Sequence, residues 1–188
     1  IMTFEQRFGS NRVIACMSTS VPRAADEPER VAALRRLALL DTERTEAFDR
    51  IVRLVARVFE VPTVLVSLVD ADRQWIKASV GAAFCETCRE DAFCGHTILS
   101  DGLLVVPNAA ADTRFKENPL VTGPTGIRFY AGAPVRSPDG FRVGTLCVID
   151  TVPRAGLDEF QRATLIDFAA MVEAEIARYA EFRADVTA

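Results

Sequence analysis

Apolar residues in the 28–40 segment recur at helical spacing. Val31, Leu34, Leu37 and Leu40 share one face, opposite Glu29, Arg30, Arg35 and Arg36. Asp41 and Thr42 interrupt the pattern. A second helix is predicted over 46–60, with Phe48, Val52, Val55 and Phe59 inward and Pro62 as its stop. The period then changes. TVLVSLV at 63–69 is rich in β-branched residues, Asp70-Ala71-Asp72 reads as a turn, and RQWIKASVG at 73–81 returns as a second strand. A short helix is expected over 92–100 and a strand at LLVVP, 103–107. The polar stretch 108–126 has no periodicity and reads as one long connection, a length usually tied to function. Strands at 127–137 and 141–150 flank Pro138-Asp139-Gly140, a hairpin signal. The chain then enters a long helix, predicted over 158–183. Asp158 and Gln161 form a capping box there, and Phe160, Thr164, Phe168, Met171, Val172, Tyr179 and Phe182 follow near helical spacing. Hairpin-linked strands imply an antiparallel sheet, and helices gathered at the two ends of the sequence must cover one of its faces. Residues 1–27 lack periodicity and are expected to be a flexible arm; 28–185 form one domain.

Composition narrows the function. At 49% hydrophobic, 188 residues can bury a substantial core. A net charge of -4 argues against a nucleic-acid surface, which would require a basic stripe. No apolar run reaches the roughly 18–20 residues that a membrane-spanning helix needs, and nothing near the start reads as a signal peptide, so a cytoplasmic location is expected. Five cysteines, an odd number, fit a closed disulfide framework poorly.

Three of those cysteines and the chain's one histidine fall in FCETCREDAFCGHTI, 84–98. The ligand types of Cys85, Cys88, Cys94 and His96 suit zinc, but the spacing is unlike paired zinc knuckles, and Cys94 and His96 do not share a helix face. Cys85-x-x-Cys88 has the spacing of a reversible disulfide, and a thiol near a helix N-terminus is more acidic than usual. The plainer reading makes Cys94 a small buried residue and Cys85 and Cys88 loop thiols. Asp112 and Arg114 are placed to pair with each other, and Arg128 to meet an anion beside Phe129 and Tyr130.

The segments SLVDADRQWIKASVG (67–81), DAFCGHTI (91–98), LVVPNAAADTRFKENPLV (104–121), IRFYAGAPV (127–135) and GTLCVID (144–150) occur in unbroken order. On these residues the chain resembles bacterial GAF sensor domains, especially those beside diguanylate cyclases and histidine kinases. The resemblance implies an α+β, PAS-related fold: a six-stranded antiparallel sheet, the terminal helices on one face, and a pocket under loops and short helices on the other. It implies a non-catalytic cytoplasmic domain that binds a small molecule and signals through its terminal helices in a homodimer. The output kinase or cyclase domain would lie elsewhere, since no GGEEF signature or kinase ATP-binding domain occurs here. The expected ligand site comprises Phe93, Cys94, His96, Asp112, Arg114, Phe115, Arg128, Phe129, Tyr130 and Cys147, with no cofactor named. Two branches of the resembling family are chemically active, but each departs from this chain. Free methionine sulfoxide reductases carry a further cysteine where this chain has GIRFYAG (126–132), and in bilin-binding domains the cysteine adjoins its histidine and comes later. A redox-active or metal-binding domain built on the Cys85–His96 cluster is the alternative, and a dimerisation module with a vestigial pocket is a third reading.

Overall fold

The computed structural model describes residues 21–187, apart from Ala83 and the side chains of 184–187. Six strands form one antiparallel sheet in the order β3-β2-β1-β6-β5-β4: β1 (Thr63–Val69), β2 (Arg73–Val80), β3 (Glu86–Cys88), β4 (Leu104–Val106), β5 (Phe129–Arg136) and β6 (Arg142–Asp150). Helices α1 (Glu27–Arg36), α2 (Glu46–Phe59) and α5 (Glu159–Thr187) are the long ones; α3 (Phe93–Thr97) and α4 (Pro119–Thr122) are single turns. Two cores form, one on each side of the sheet. On one side Leu34, Phe48, Val52, Leu165, Val172 and Ile176 pack on Val66, Leu68, Phe129, Ala131 and Val148. On the other, the residues around α3 and α4 pack on Leu65, Val69, Tyr130, Cys147 and Ile149.

The capping box forms as expected: Asp158 Oδ1 accepts from the Gln161 N–H at 2.7 Å, and Gln161 Oε1 from the Asp158 N–H at 3.0 Å. The inward stripe of α5 differs from the expected one. Leu165, Ala169, Val172 and Ile176 are buried, whereas Phe160, Met171 and Phe182 are 76%, 47% and 62% exposed. The helix carries apolar residues on more than one side, so spacing alone could not choose the inner one. In contrast, the α1 stripe is spent inside the chain. The helix ends at Arg36, Ala38 turns the backbone at φ 49°, and Leu39 takes the buried place expected of Leu40. Two short elements were not foreseen, β3 in the cysteine stretch and α4 in the long connection. The start of α4 did carry a local signal. Asn118 accepts from the Leu120 N–H at 2.8 Å, and Pro119 holds the first helical position.

The arm expected at 1–27 lies outside the described residues up to 20, and its last part is not free. Val21 is buried and donates its N–H to the Glu90 carboxylate, while Arg23 bonds Glu90 at 3.0 Å and the Ala71 carbonyl at 3.1 Å. Glu27, at the start of α1, is clamped between two buried guanidiniums. Arg30 bonds it at 2.7 Å and also donates to the Val69 carbonyl; Arg89 pairs with it and donates to the Asp70 carbonyl at 2.9 Å. Arg89 belongs to a 3-10 turn, Arg89–Asp91, that leads into α3. Partial burial pushes the Glu27 carboxyl up, but hydrogen bonds from Arg30 and then Arg89 outweigh it and hold it down at about 2, against an ordinary 4.5.

A carboxyl depressed in the folded state contributes stability above its unfolded value and loses it as pH falls through the folded one. Unfolding free energy should therefore drop by about 1–3 kcal/mol between pH 4.5 and 2 on account of Glu27. Glu27→Gln should cost about 2–4 kcal/mol at pH 7 and flatten that acid limb, measured by urea unfolding across the pH range.

Candidate functional site

Strand alternation decides which expected site residues meet. On β5, Tyr130 and Phe129 are neighbours and so point to opposite faces. Tyr130 faces α3 and α4, whereas Phe129 is buried in the helix-side core with Arg154 above its ring. Phe129 is therefore excluded from the ligand site expected for it. Tyr130 meets Phe93 of α3 at a ring separation of 5.1 Å, and Phe93 stacks on Phe115 at 4.0 Å. Cys94 and Cys147 complete this group, with Sγ atoms 3.9 Å apart. Phe93, Cys94, Phe115, Tyr130 and Cys147 are thus brought together, all at most 3% exposed.

The polar members of the expected site lie around this group, occupied with other partners. Arg128 donates to the carbonyls of Val121 (2.9 Å) and Ile127 (3.0 Å), which latches α4 to the start of β5 rather than offering a free cation. Asp112 and Arg114 pair at 2.7 Å, and Asp112 also accepts from the Arg114 N–H at 2.9 Å, fixing the loop. The Arg114 guanidinium holds the Asp112 carboxyl below its usual range against a partial burial penalty. His96 is half-buried, edge-on to Phe115 at 4.9 Å; burial, then the Arg114 charge, push its imidazole down. The cysteine stretch does not act as one unit. Cys85 carries a free thiol and Cys88 does not, so the two are neither a pair of loop thiols nor bridged to each other. Among the described residues, no group of three or more His, Cys, Asp or Glu side chains converges as a metal site would require.

Sequence reasoning missed the polar floor beneath Cys94. Ser67 and Thr145, cross-strand partners on β1 and β6, share a hydrogen bond of 2.9 Å. Thr97 and Tyr130 hydroxyls are 2.7 Å apart, and Tyr130 donates to Cys94 Sγ at 3.5 Å. Burial pushes the Cys94 thiol up, but hydrogen bonds from Cys147, Ser67, Thr145 and Tyr130 outweigh it, so its net shift is downward. Cys147 moves the other way, raised first by burial and then by Cys94, so one proton of the pair is held far more tightly than the other. Period-two spacing from Cys147 would have found Thr145 and Ile149 on the same face.

A small cavity of about 20 Å³ adjoins the group, lined by Gln74, Phe84, Thr87, Phe93, Cys94 and Leu120 among others. Gln74 Oε1 and Thr87 Oγ1 are buried there without a hydrogen-bond partner. Their residues are cross-strand partners on β2 and β3. A larger cleft of about 410 Å³ lies between the α1–α2 connection and β2; it touches none of the expected ligand-site residues, though Cys85 lines it. Several charged groups on it are already paired, Arg44 with Asp49 and both Asp41 and Glu86 with Arg73. The small cavity, beside unpaired polar atoms, is the better candidate.

Comparison with known proteins bears on the family and the fold. The model of the GAF domain family matches residues 43–176. Over 155 residues, 82% of this chain, the sequence is 42% identical to the cyclic di-GMP phosphodiesterase PA2567 of Pseudomonas aeruginosa; the match spans 26% of that relative's length. Among solved structures, the GAF domain of an Acinetobacter phosphoenolpyruvate-protein phosphotransferase aligns with a TM-score of 0.59 at 20% identity, covering 79% of this chain and 92% of that one. Free methionine-R-sulfoxide reductase of Neisseria meningitidis aligns at 0.58 and 17% identity, covering 87% and 98%. At those identities the two structures support the fold alone.

Gly132 shows how tightly this group is built. A Cβ there would lie 2.3 Å from the Tyr130 hydroxyl oxygen and 3.0 Å from Thr97 Oγ1. Gly132→Ala should therefore drive the phenol off Cys94 and cost about 1–3 kcal/mol in thermal or urea unfolding, more than an alanine in an open strand position.

Proposed function

This chain belongs to the GAF domain family, and from that premise we propose that it is a non-catalytic sensory domain. It takes a small molecule beneath α3 and α4 and reports occupancy through its long helices in a dimer. The observation that carries the reading is the pair of buried, unpartnered polar atoms, the Gln74 Oε1 acceptor and the Thr87 hydroxyl, whose residues line a cavity otherwise walled by aromatic and aliphatic side chains and Cys94. A buried acceptor left unpaired costs about 1–3 kcal/mol, which a ligand carrying a donor would recover. The present cavity holds no more than a water-sized molecule, so a larger ligand enters only if α4 and the 108–126 connection lift. An effector region outside this chain fits the short span of the phosphodiesterase relative that it matches. No helix among the described residues is long and apolar enough to cross a membrane.

The dimer reading rests on exposed apolar side chains. Phe160, Met171 and Phe182 recur every eleven residues along α5, close to one line on a helix, and Leu54 and Val58 are exposed on α2, which packs against α5. The α1 stripe is largely buried within the chain, so the dimer bundle is built on α5 and α2.

Gln74→Leu separates ligand binding from folding. Removing the unpaired amide oxygen should raise the unfolding free energy of the empty chain by about 1 kcal/mol, while a small molecule retained by the parent in native mass spectra from its host should vanish. Bare chain in every parent preparation would remove the ligand reading. Sedimentation at micromolar concentration should give a dimer that Met171→Lys with Phe182→Lys converts to monomer. A monomeric parent would leave α5 with another partner.

A further inference from the structure

Cys94 and Cys147 stand 53 residues apart in sequence, one on the small helix that roofs the cavity and one at the centre of the sheet. We propose that they form a buried dithiol that a small hydroperoxide converts to a disulfide, covalently joining α3 to β6. The Sγ atoms, now 3.9 Å apart, must close to about 2.05 Å, an approach of roughly 2 Å. Both thiols are free, and both are at most 2% exposed, so neither has another described thiol partner to compete with this one. Of the two, Cys94 lines the cavity, whose present volume of about 20 Å³ holds a water-sized molecule, so hydrogen peroxide, little larger than water, reaches the sulfur with a small outward shift of the roof.

The surrounding hydroxyls suit the first step. Tyr130 donates to Cys94 Sγ at 3.5 Å, and the hydrogen-bonded hydroxyls of Ser67 and Thr145 lie on the sheet face that carries Cys147. These donors stabilise a thiolate in a site that otherwise disfavours charge. Cys94 sulfur attacks one peroxide oxygen, and the O–O bond breaks. The departing hydroxide takes the proton that Cys94 released and leaves as water, and Cys94 becomes a sulfenic acid. Cys147 sulfur then attacks the Cys94 sulfur. The S–O bond breaks, and the oxygen leaves as a second water with the Cys147 proton. In sum, two thiols and one hydrogen peroxide give a disulfide and two waters, a two-electron oxidation of the protein.

The bond would tie the roof to the floor. Its consequence for ligand entry rests on the sensory reading above; the oxidation itself does not. The two are distinguishable, because one is read by peptide mass and the other by ligand retention.

The test uses the chain with hydrogen peroxide at equimolar concentration, followed by unfolding in an alkylating agent and peptide mapping. The expected product is the Cys94 peptide linked to the Cys147 peptide, released by a dithiol reductant. In Cys147→Ser the link should be absent and a sulfenic acid on Cys94 should be trapped by dimedone. Tyr130→Phe, which keeps the ring and removes the donor, should slow linkage roughly tenfold. Recovery of both Cys94 and Cys147 as free thiols in the unaltered chain, with Cys85 oxidised instead, would overturn the proposal. Linkage of either to Cys85 would overturn it equally.

Discussion

The sheet is covered on both faces, and most of the molecule follows from that. Helices α1, α2 and α5 close one side; α3, α4 and their loops close the other. Strands β1, β5 and β6 therefore have no wet face, and a polar atom on them must find a partner inside the protein or remain costly. On the helix side Lys77 solves this by sending its ammonium to Thr42 Oγ1 at 2.8 Å and the Glu43 carbonyl at 2.6 Å. On the other side Ser67, Thr145, Thr97, Tyr130 and the two thiols satisfy one another. The chemistry of the roof is thus a local answer to a global packing demand. Gln74 and Thr87, at the β2–β3 edge, are among the places where the answer is incomplete, as is the buried Asp91 carboxylate just before α3.

The same double coverage explains what the sequence could and could not reveal. Helix α2, the hairpin at Pro138-Asp139-Gly140 and the Asp158–Gln161 box were legible because each has a local signature: an apolar stripe, a turn with a left-handed glycine, a reciprocal pair of side chains. The faces of β5 were not. With both sides dry, Phe129 and Tyr130 are equally apolar neighbours, and no polar alternation separates them. Cys94, Tyr130 and Cys147 do meet, and of the hydroxyls around them Thr97 and Thr145 lie within three residues of a thiol, whereas Ser67 comes from a separate strand, β1. Arg128 misled because a cation beside aromatics looks the same in sequence whether it awaits an anion or ties down two carbonyls.

Glu27 connects regions that sequence separation would keep apart. Val21, Arg23 and Glu27 all end on the Glu90 and Arg89 side chains, immediately before α3. The first helix and the roof of the cavity therefore share an anchor that does not pass through the sheet. A displacement of α3 large enough to admit a ligand must either carry that anchor along or strain it. Fully desolvated, Arg89 cannot exchange its protein partners for water without a wider opening.

Trp75, the chain's one tryptophan, is packed into the helix-side core at 8% exposure, and the Lys77 ammonium stands 5.8 Å from its ring centre. Its emission is consequently set by a fixed positive charge and by the helices above it, while the cavity lies across the sheet. The indole is thus a built-in optical gauge of the wrong compartment for detecting occupancy and the right one for detecting transmission. A spectral change on adding a small molecule would register motion that had already crossed the sheet, and an unchanged spectrum would be compatible with a filled cavity.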